Sequence, residues 1–257
     1  MFTNRVAVVT GGAQGIGQAI GAEFRRAGAH VCIIDQQPND YFVGDLGSQA
    51  DLEDFARKVI ADYGRVDYLV HNAPPLMKGI SACSYEEFNY ALRVGVTAPF
   101  YLTKLLAPYF APGAAVVNIA SSRDRMSQPQ TESYTAAKGG IAALTHALAM
   151  SLAGKARVNS ISPGWIDTAF TQYEGPDALQ HPAGRVGTLC PKCVLLKCNC
   201  RIIPFCVDYP LSMKAFYAIL KTTTNDSRRK LICRNLMFIL MVHGCLRLSK
   251  GMFLIGF

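Results

Sequence analysis

The sequence predicts an α/β fold in which helices cover both faces of a doubly wound parallel sheet. Two observations predict it. Short apolar runs rich in β-branched residues alternate with longer stretches of helical apolar spacing, and a glycine-rich loop directly follows the first run. The chain has 257 residues, of which 50% are hydrophobic, so it can bury the core of one large domain and is not a disordered chain.

Six strands and four helices are predicted, in alternation along the chain. The strands are expected at residues 5–10, 30–35, 41–43, 66–70, 114–120 and 157–161, where apolar side chains cluster between turn residues. The helices are expected at residues 17–27, 49–63, 86–109 and 134–152, with a break in the third near Gly95. This order predicts parallel strands joined by helical crossovers.

The composition changes abruptly after Val186. At nearly the same point we divide the chain into a body, residues 1–187, and a tail, residues 188–257. Residues 1–186 carry 15 basic and 16 acidic side chains, whereas residues 187–257 carry 11 basic and 2 acidic ones, so the net charge of +8 resides in the tail. The tail also holds seven of the nine cysteines and no glutamate. We therefore expect a single-domain body with an atypical C-terminal tail of unknown structure.

A glycine-rich loop joins the first predicted strand to the first predicted helix. Its residues are Gly11, Gln14, Gly15, Ile16 and Gly17. Glycine lets the backbone approach a pyrophosphate closely, and the pyrophosphate then meets the N-terminus of the helix. The loop therefore predicts a nucleotide-binding site, and the alternative is a plain structural turn.

Asp35 ends the second predicted strand, 18 residues beyond Gly17. A carboxylate at this point can bind the hydroxyls of an adenosine ribose, and it repels a 2′-phosphate. The next two residues are Gln36 and Gln37, so no cation stands beside Asp35 in the sequence to accept such a phosphate. We therefore predict NAD as the cofactor rather than NADP.

The spacing Gly11-x3-Gly15-x-Gly17 resembles the short-chain dehydrogenase/reductase family, which has a Rossmann-like fold. Further motifs follow in the family's order, and the resemblance runs from Val6 to Gly187. It implies that several other residues contact the cofactor. These are Asp45 and Leu46 at the adenine, Asn72 and Ala73 after the fourth strand, and Pro163, Gly164, Ile166 and Thr168 in the segment that closes over the nicotinamide.

Tyr134 and Lys138 lie four residues apart in a predicted helix and therefore share one face. An ammonium beside the phenol favours the phenolate and should lower a pKa that is ~10 in an unperturbed tyrosine. Tyr134 would then exchange a proton with an alcohol or a carbonyl while hydride moves. The resemblance implies that Tyr134 and Lys138 are catalytic and also contact the cofactor, and that Ser121 orients the substrate. Ser122 is the adjacent alternative to Ser121.

Two positions depart from the family's pattern. Gly95 stands where the family has an asparagine, whose side chain holds a water that links the lysine to solvent. A bulge that exposes a backbone carbonyl is one substitute for it. In His71-Asn72-Ala73-Pro74, the proline replaces a glycine and removes a backbone donor. Both departures favour a rival hypothesis, a catalytically silent nucleotide-binding or interaction protein.

The leading prediction is an NAD-dependent oxidoreductase that interconverts a secondary alcohol and a ketone by hydride transfer. Its substrate is a small molecule, and sugars, steroids, polyols and acyl-carrier thioesters all stay open. The segment 169–184 is expected to select among them. The resemblance implies a homodimer or a homotetramer, which the atypical tail puts in question.

The tail departs from the family just where its final helix and strand would follow. Three interpretations stay open. The five cysteines Cys190, Cys193, Cys198, Cys200 and Cys206 are candidate zinc ligands, and the basic excess around 228–230 is a candidate contact for nucleic acid or anionic lipid. The third interpretation, which composition favours, is translation in a shifted reading frame. Without a final strand, one edge of the sheet would lack a partner.

We expect a cytoplasmic protein with no membrane, nucleic-acid or metal partner. The longest apolar run of the tail, residues 236–242, has seven residues, well short of the roughly 18 that a spanning helix needs. The N-terminus leads directly into a strand-like run, which leaves no room for a signal peptide.

Overall fold

The computed structural model describes residues 2–168, 186–188 and 200–203, and its centre is a seven-stranded sheet. The strands of this sheet are β1 (Val6–Thr10), β2 (His30–Asp35), β3 (Phe42–Val43), β4 (Val66–His71), β5 (Phe110–Ile119), β6 (Ala156–Pro163) and β9 (Cys200–Ile203). Two short strands, β7 (Ile166–Asp167) and β8 (Gly187–Thr188), form a separate parallel pair. The helices are α1 (Gly15–Arg26), α2 (Gln49–Tyr63), α3 (Tyr85–Leu92), α4 (Ala98–Leu106) and α5 (Glu132–Ser151).

The sheet has the order β3-β2-β1-β4-β5-β6-β9, and the first six strands are parallel. The chain builds outward from β1 to β2 and β3, and then in the other direction through β4, β5 and β6. The predicted doubly wound α/β fold is therefore confirmed. The carboxyl ends of the six strands meet at one edge, and the order reverses between β1 and β4, which is where such sheets bind ligands.

The seventh strand departs from the predicted wholly parallel sheet. Residues Cys200–Ile203 belong to the tail and pair antiparallel with β6, with Ser160 opposite Ile203 and Pro163 opposite Cys200. The outer edge of β6 is therefore paired, although the expectation was that loss of a family-like final strand would leave it open. A backbone edge needs hydrogen-bond partners and not a particular sequence, so any extended segment can supply them.

Successive residues of the central strands bury their side chains on opposite faces of the sheet. Ala7 and Val9 of β1 face a core that includes Phe24 of α1, whereas Val6 and Val8 face a core that includes Phe55 of α2. Both faces are covered, which is why the strands read as continuous apolar runs without polar alternation.

Helix α2 has the bounds that the sequence predicts, because both of its ends carry strong local signals. The side chain of Ser48 accepts a hydrogen bond from the Asp51 N–H at the first turn. Gly64 ends the helix with a φ of 64°, in the left-handed region that glycine adopts without strain. Helix α1, in contrast, begins at Gly15 and not at Gly17, so the glycine loop is shorter than predicted.

The predicted helix 86–109 is divided by a π-helical turn, Arg93–Thr97, that separates α3 from α4. The predicted break near Gly95 therefore takes the form of one wide turn inside a continuous helical segment. Gly95 is required there, since a Cβ on it would lie 2.7 Å from the Cβ of Ala137 in α5. The segment ends in a short 3₁₀ turn, Ala107–Tyr109, before β5.

Several predictions fall on residues that the structure does not describe. The substrate-selecting segment 169–184 and almost the whole tail, including the cysteine and basic clusters, lie outside the described residues. Within the described residues, no group of three or more metal-ligating side chains is found. The helices among those residues are all too short or too polar to cross a membrane.

Candidate active site

A cleft of about 1260 Å³ opens at the carboxyl ends of the parallel strands. It extends from the glycine loop and Asp35 at one end to Tyr134 and Trp165 at the other. Every predicted site residue except Gly17 lines it. These residues are Gly11, Gln14, Gly15, Ile16, Asp35, Asp45, Leu46, Asn72, Ala73, Ser121, Tyr134, Lys138, Pro163, Gly164, Ile166 and Thr168.

The glycine loop is shaped to bring its backbone close to a bound anion. Gly11 has a φ of 64° and Gly15 a φ of 56°, both in the region that side chains other than glycine rarely adopt. A Cβ on Gly11 would lie 2.6 Å from the Cα of Ala73, so the segment that follows β4 and the glycine loop approach each other directly. The N-terminus of α1 has neither a side-chain cap nor an acidic residue in its first turn, which leaves its N–H groups and positive dipole end for an anion.

Gly17 and Asn72 fix the backbone of the glycine loop through close packing and hydrogen bonds. A Cβ on Gly17 would lie 2.0 Å from the carbonyl oxygen of Gly11 and 2.4 Å from the Asn72 amide nitrogen, so no larger residue fits. The Asn72 side chain donates to the carbonyl oxygens of Thr10, at 3.1 Å, and of Gly11, at 2.9 Å. Gly17 therefore shapes the loop without lining the cleft.

Two carboxylates lie at the end of the cleft nearest β2. Asp35 is almost fully buried, and its two oxygens accept hydrogen bonds from the N–H groups of Ala13 and Gln37, each at 3.0 Å. A carboxylate has about four acceptor positions, so Asp35 retains capacity for two hydroxyl groups. Asp45 accepts from the Tyr90 hydroxyl at 2.8 Å, which fixes its carboxylate at the cleft wall.

Ser121 and Tyr134 both line the opposite end of the cleft, and the Ser121 hydroxyl acts to lower the pKa of Tyr134. Ser121 follows β5 and caps a 3₁₀ turn, Ser122–Asp124, in which its Oγ accepts the Arg123 N–H at 3.2 Å. Ser121, and not Ser122, is therefore the serine that acts on the pKa of the phenol. Ser122 lines the same cleft without this effect.

The net effect of the protein on Tyr134 is opposite in sign to the sequence-based expectation. Burial raises the pKa of Tyr134, and the hydrogen bond from Ser121 and the positive charge of Arg123 offset only part of that rise. Lys138 does not contribute to this shift, and its Nζ donates to the Ile119 carbonyl oxygen at 2.6 Å. Burial therefore outweighs the neighbouring positive charge at Tyr134.

Lys138 is a buried cation, with 4% of its surface exposed. Burial lowers the pKa of Lys138 to about 8, because the charged form loses its hydration. The Nζ lies 5.5 Å from the centre of the Tyr134 ring. A buried ammonium beside a half-buried phenol, at the wall of a deep cleft, is an arrangement that occurs at functional sites.

Ser133, which the sequence analysis did not select, ties the start of α5 to the loop after β4. Its hydroxyl donates to the Leu76 carbonyl oxygen and accepts the Lys78 N–H, both at 2.8 Å. The Ser133 N–H donates to the Lys78 carbonyl oxygen at 3.1 Å. These bonds fix the first turn of α5 and therefore the position of the adjacent Tyr134.

The structure adds several cleft residues that sequence reasoning missed. They include Gln18, Tyr90, Met77, Gln128 and Trp165. Trp165 could have been selected from the sequence, because it is the only tryptophan of the chain and follows Pro163-Gly164 directly. Tyr90 could not have been selected, since the Asp45 carboxylate to which its hydroxyl donates lies 45 residues earlier in the sequence.

The amino-acid sequence matches a known protein family and is similar to known oxidoreductases. Residues 11–189 match the family described as enoyl-(acyl carrier protein) reductase. An uncharacterized oxidoreductase from Thermotoga maritima is 38% identical over 216 residues, which cover 73% of this chain and 84% of that protein.

Two solved structures resemble this one closely in fold. An apo SCOR enzyme from Clostridium thermocellum has a TM-score of 0.66 and 42% identity, covering 74% of this chain and 82% of that chain. A short-chain dehydrogenase/reductase, glucose/ribitol dehydrogenase, from Brucella melitensis has a TM-score of 0.66 and 28% identity, covering 73% of this chain and 84% of that chain.

Proposed function

The chain belongs to the short-chain dehydrogenase/reductase family, and from that premise we propose that it is an NAD-dependent oxidoreductase that interconverts a secondary alcohol and a ketone. One observation carries the proposal. Ser121 and Tyr134, with Lys138 one helical turn further on, line the same cleft as the glycine loop and Asp35. A candidate acid/base residue and a candidate nucleotide-binding loop therefore line one cavity.

The residues of the cleft fit a nicotinamide dinucleotide. The open N-terminus of α1 and the glycine loop suit the pyrophosphate, Asp35 suits the adenosine ribose, and Lys138 and Tyr134 suit the nicotinamide ribose. When bound there, the cofactor would supply the hydride acceptor or donor. The protein would then have to orient the substrate carbon and to handle the proton.

Tyr134 handles the proton in this proposal. During alcohol oxidation, the phenolate Oη accepts the proton of the substrate hydroxyl as the C–H hydride leaves; during ketone reduction, the phenol returns a proton to the carbonyl oxygen. The Ser121 hydroxyl donates to the same substrate oxygen and stabilises the negative charge that develops on it. The charge of Lys138, whose Nζ lies 5.5 Å from the centre of the Tyr134 ring, would favour the phenolate.

The preference for NAD over NADP rests on Asp35. Its carboxylate is fixed by two backbone N–H groups and lines the cleft, so a 2′-phosphate would meet a negative charge. Gln36 and Gln37 line the cleft beside it and are uncharged.

The other expectations from the sequence become proposals on the same basis. We propose that the substrate is a sugar or polyol, since the Brucella relative is a glucose/ribitol dehydrogenase. We also propose that residues 1–187 form the catalytic body, apart from a tail at 188–257. The protein would act in the cytoplasm as a homodimer or homotetramer.

The test is an assay of NADH formation with a panel of sugars, polyols, hydroxysteroids and hydroxyacyl thioesters. Wild-type protein should reduce NAD with at least one of them, and Tyr134→Phe should lose at least about 10²-fold in kcat while it still binds NADH. Tyr85→Phe is the matched control, because Tyr85 is 79% exposed at the start of α3. Unchanged activity of Tyr134→Phe would exclude Tyr134 as the acid/base, and NADH binding without turnover would favour a silent nucleotide-binding protein.

A further inference from the structure

A second, much smaller cavity lies directly behind the proposed catalytic lysine. Its volume is about 10 Å³, which is about the space that one water molecule requires. Lys138, His71 and Gly95 line three of its sides, from α5, β4 and the π-helical turn. The rest of its wall consists of Thr10, Ala73, Val94, Pro99, Ile119 and Ile141.

His71 presents an unpartnered nitrogen at this cavity. The ring is 4% exposed, and its Nε2 is hydrogen-bonded to Thr103 Oγ1 at 2.9 Å. Its Nδ1 has no hydrogen-bond partner among the described residues. Thr103, the partner of Nε2, does not line the cavity. The ring nitrogen that can face the cavity is therefore Nδ1. A buried nitrogen without a partner is costly, and proteins usually supply one.

Lys138 needs further acceptors on the same side. An ammonium has three N–H donors, and the Ile119 carbonyl oxygen accepts one of them at 2.6 Å. A buried charge is stable only when its donors are hydrogen-bonded. The cavity therefore lies between a donor with spare protons and an unpartnered ring nitrogen.

Gly95 closes the wall formed by the π-helical turn to side chains. A Cβ at this position would lie 2.7 Å from the Ala137 Cβ and 3.2 Å from the Pro75 Cβ. No side chain can therefore enter the cavity from the π-helical turn while α5 keeps its position. His71 is the polar side chain on the opposite wall.

We propose that His71 is a positioning residue whose Nδ1 anchors one water molecule in this cavity against Nζ of Lys138. The water accepts a hydrogen bond from the ammonium and donates one to Nδ1. His71 is then the neutral tautomer protonated on Nε2, which donates to Thr103. The role of the water is to keep Lys138 charged beside Tyr134, so this inference rests on the proposed function of that pair.

The electrostatic surroundings of Lys138 make such a water effective. Burial alone accounts for the lowered pKa of Lys138. Charged groups on the elements packed against α5 do not contribute; they are Glu86 and Glu87 of α3, Arg93 of the π-helical turn, Arg123 and Asp124 of the 3₁₀ turn, and Arg157 of β6. Burial also lowers the pKa of His71 to about 3, which keeps its ring neutral and Nδ1 free to accept.

Two variants of His71 separate its two nitrogens. Asparagine can place an amide near the position of Nδ1, whereas glutamine reaches the position of Nε2. We therefore expect His71→Asn to keep the water and His71→Gln to lose it. Ser160→Ala is the matched control, because Ser160 Oγ is equally buried and unpartnered among the described residues but does not line the cavity.

The first readout does not depend on activity. A crystal structure at high resolution of the wild-type chain should show one water within hydrogen-bond distance of both Nζ and Nδ1, and histidine ¹⁵N NMR should show an unprotonated Nδ1. An empty or closed cavity, or a protonated Nδ1, would overturn the proposal whether or not an alcohol substrate is found. His71→Gln should lack this water.

The second readout is the pH dependence of NADH binding. As the pH rises, His71→Gln should lose its affinity for NADH about one pH unit earlier than the wild type does. Above that pH, its binding of NADH should be about tenfold weaker than that of the wild type. His71→Asn and Ser160→Ala should follow the wild-type profile. An unchanged profile in a folded His71→Gln, or an equal shift in Ser160→Ala, would show that the water does not control Lys138. If His71→Gln does not fold, the wild-type density and the NMR result decide.

Discussion

The Nζ of Lys138 lies 5.5 Å from the centre of the Tyr134 ring, yet it donates its hydrogen bond to the Ile119 carbonyl and not to the phenol. Ser121 is the serine that acts to lower the pKa of the phenol. The serine therefore favours the phenolate, whereas the lysine lies one helical turn beyond Tyr134. In the proposed complex, Lys138 and Tyr134 would both hold the nicotinamide ribose.

Ser121→Ala should lower kcat/KM by about 10²-fold, because the substrate oxygen and the phenol both lose a hydrogen-bond donor. The pKa of Tyr134 should rise further, since the bond from Ser121 lowers it. The acidic limb of the pH–rate profile for alcohol oxidation should therefore move to higher pH. Steady-state kinetics across pH measure both effects, and Ser122→Ala should leave the profile in place.

Asp35→Ser should shift the nucleotide preference toward NADPH by about tenfold, which corresponds to about 1.4 kcal/mol. The substitution removes the charge that repels a 2′-phosphate and retains a hydroxyl for the Ala13 N–H. Competitive binding of NADH and NADPH measures the ratio. Asp40→Ser is the control, because the side chain of Asp40 is 66% exposed and does not line the cleft. An unchanged ratio in Asp35→Ser would remove Asp35 from the specificity argument.

Asp67→Asn should destabilise the fold by about 1–3 kcal/mol at pH 7. Asp67 is 3% exposed and binds Arg5, Arg65 and the Val6 N–H. Burial acts to raise the pKa of Asp67, but these hydrogen bonds outweigh it and leave the pKa below its usual range. A lowered pKa means that the contribution is present above the unfolded value and is lost as pH falls through the folded value.

Urea denaturation of wild type and Asp67→Asn at several pH values tests this. The difference in unfolding free energy should be full at pH 7 and should shrink below the unfolded value of 3.8. Asp54→Asn removes an ion pair in which both side chains are more than half exposed, and it should change stability little. A constant difference down to pH 2 would contradict the assignment.

Gly95→Ala should cost about 1–3 kcal/mol, because the new Cβ meets Ala137 at 2.7 Å. Gly139→Ala in α5 has no atom within 4 Å of its new Cβ and should instead stabilise the helix by about 0.5–1 kcal/mol. Adding Ala137→Gly to Gly95→Ala should recover part of the loss. Additive effects in this double-mutant cycle would show that the two residues do not touch.

Most of the sheet could be predicted from the sequence, because buried parallel strands read as continuous apolar runs and Ser48 and Gly64 mark the ends of α2. The cleft residues could be predicted because they follow the strands whose ends meet there. Ser133, Tyr90 and His71 could not, since each acts through a partner distant in sequence. The sign of the pKa shift of Tyr134 also depends on burial, which no local pattern gives.

Trp165 allows the central claim to be tested directly, because it is the only tryptophan of the chain and lines the cleft. NADH bound there should quench Trp165 emission by energy transfer and should itself fluoresce. We predict a saturable titration with NADH and a weaker one with NADPH. The absence of saturable binding by either nucleotide, or tighter binding of NADPH, would contradict the account.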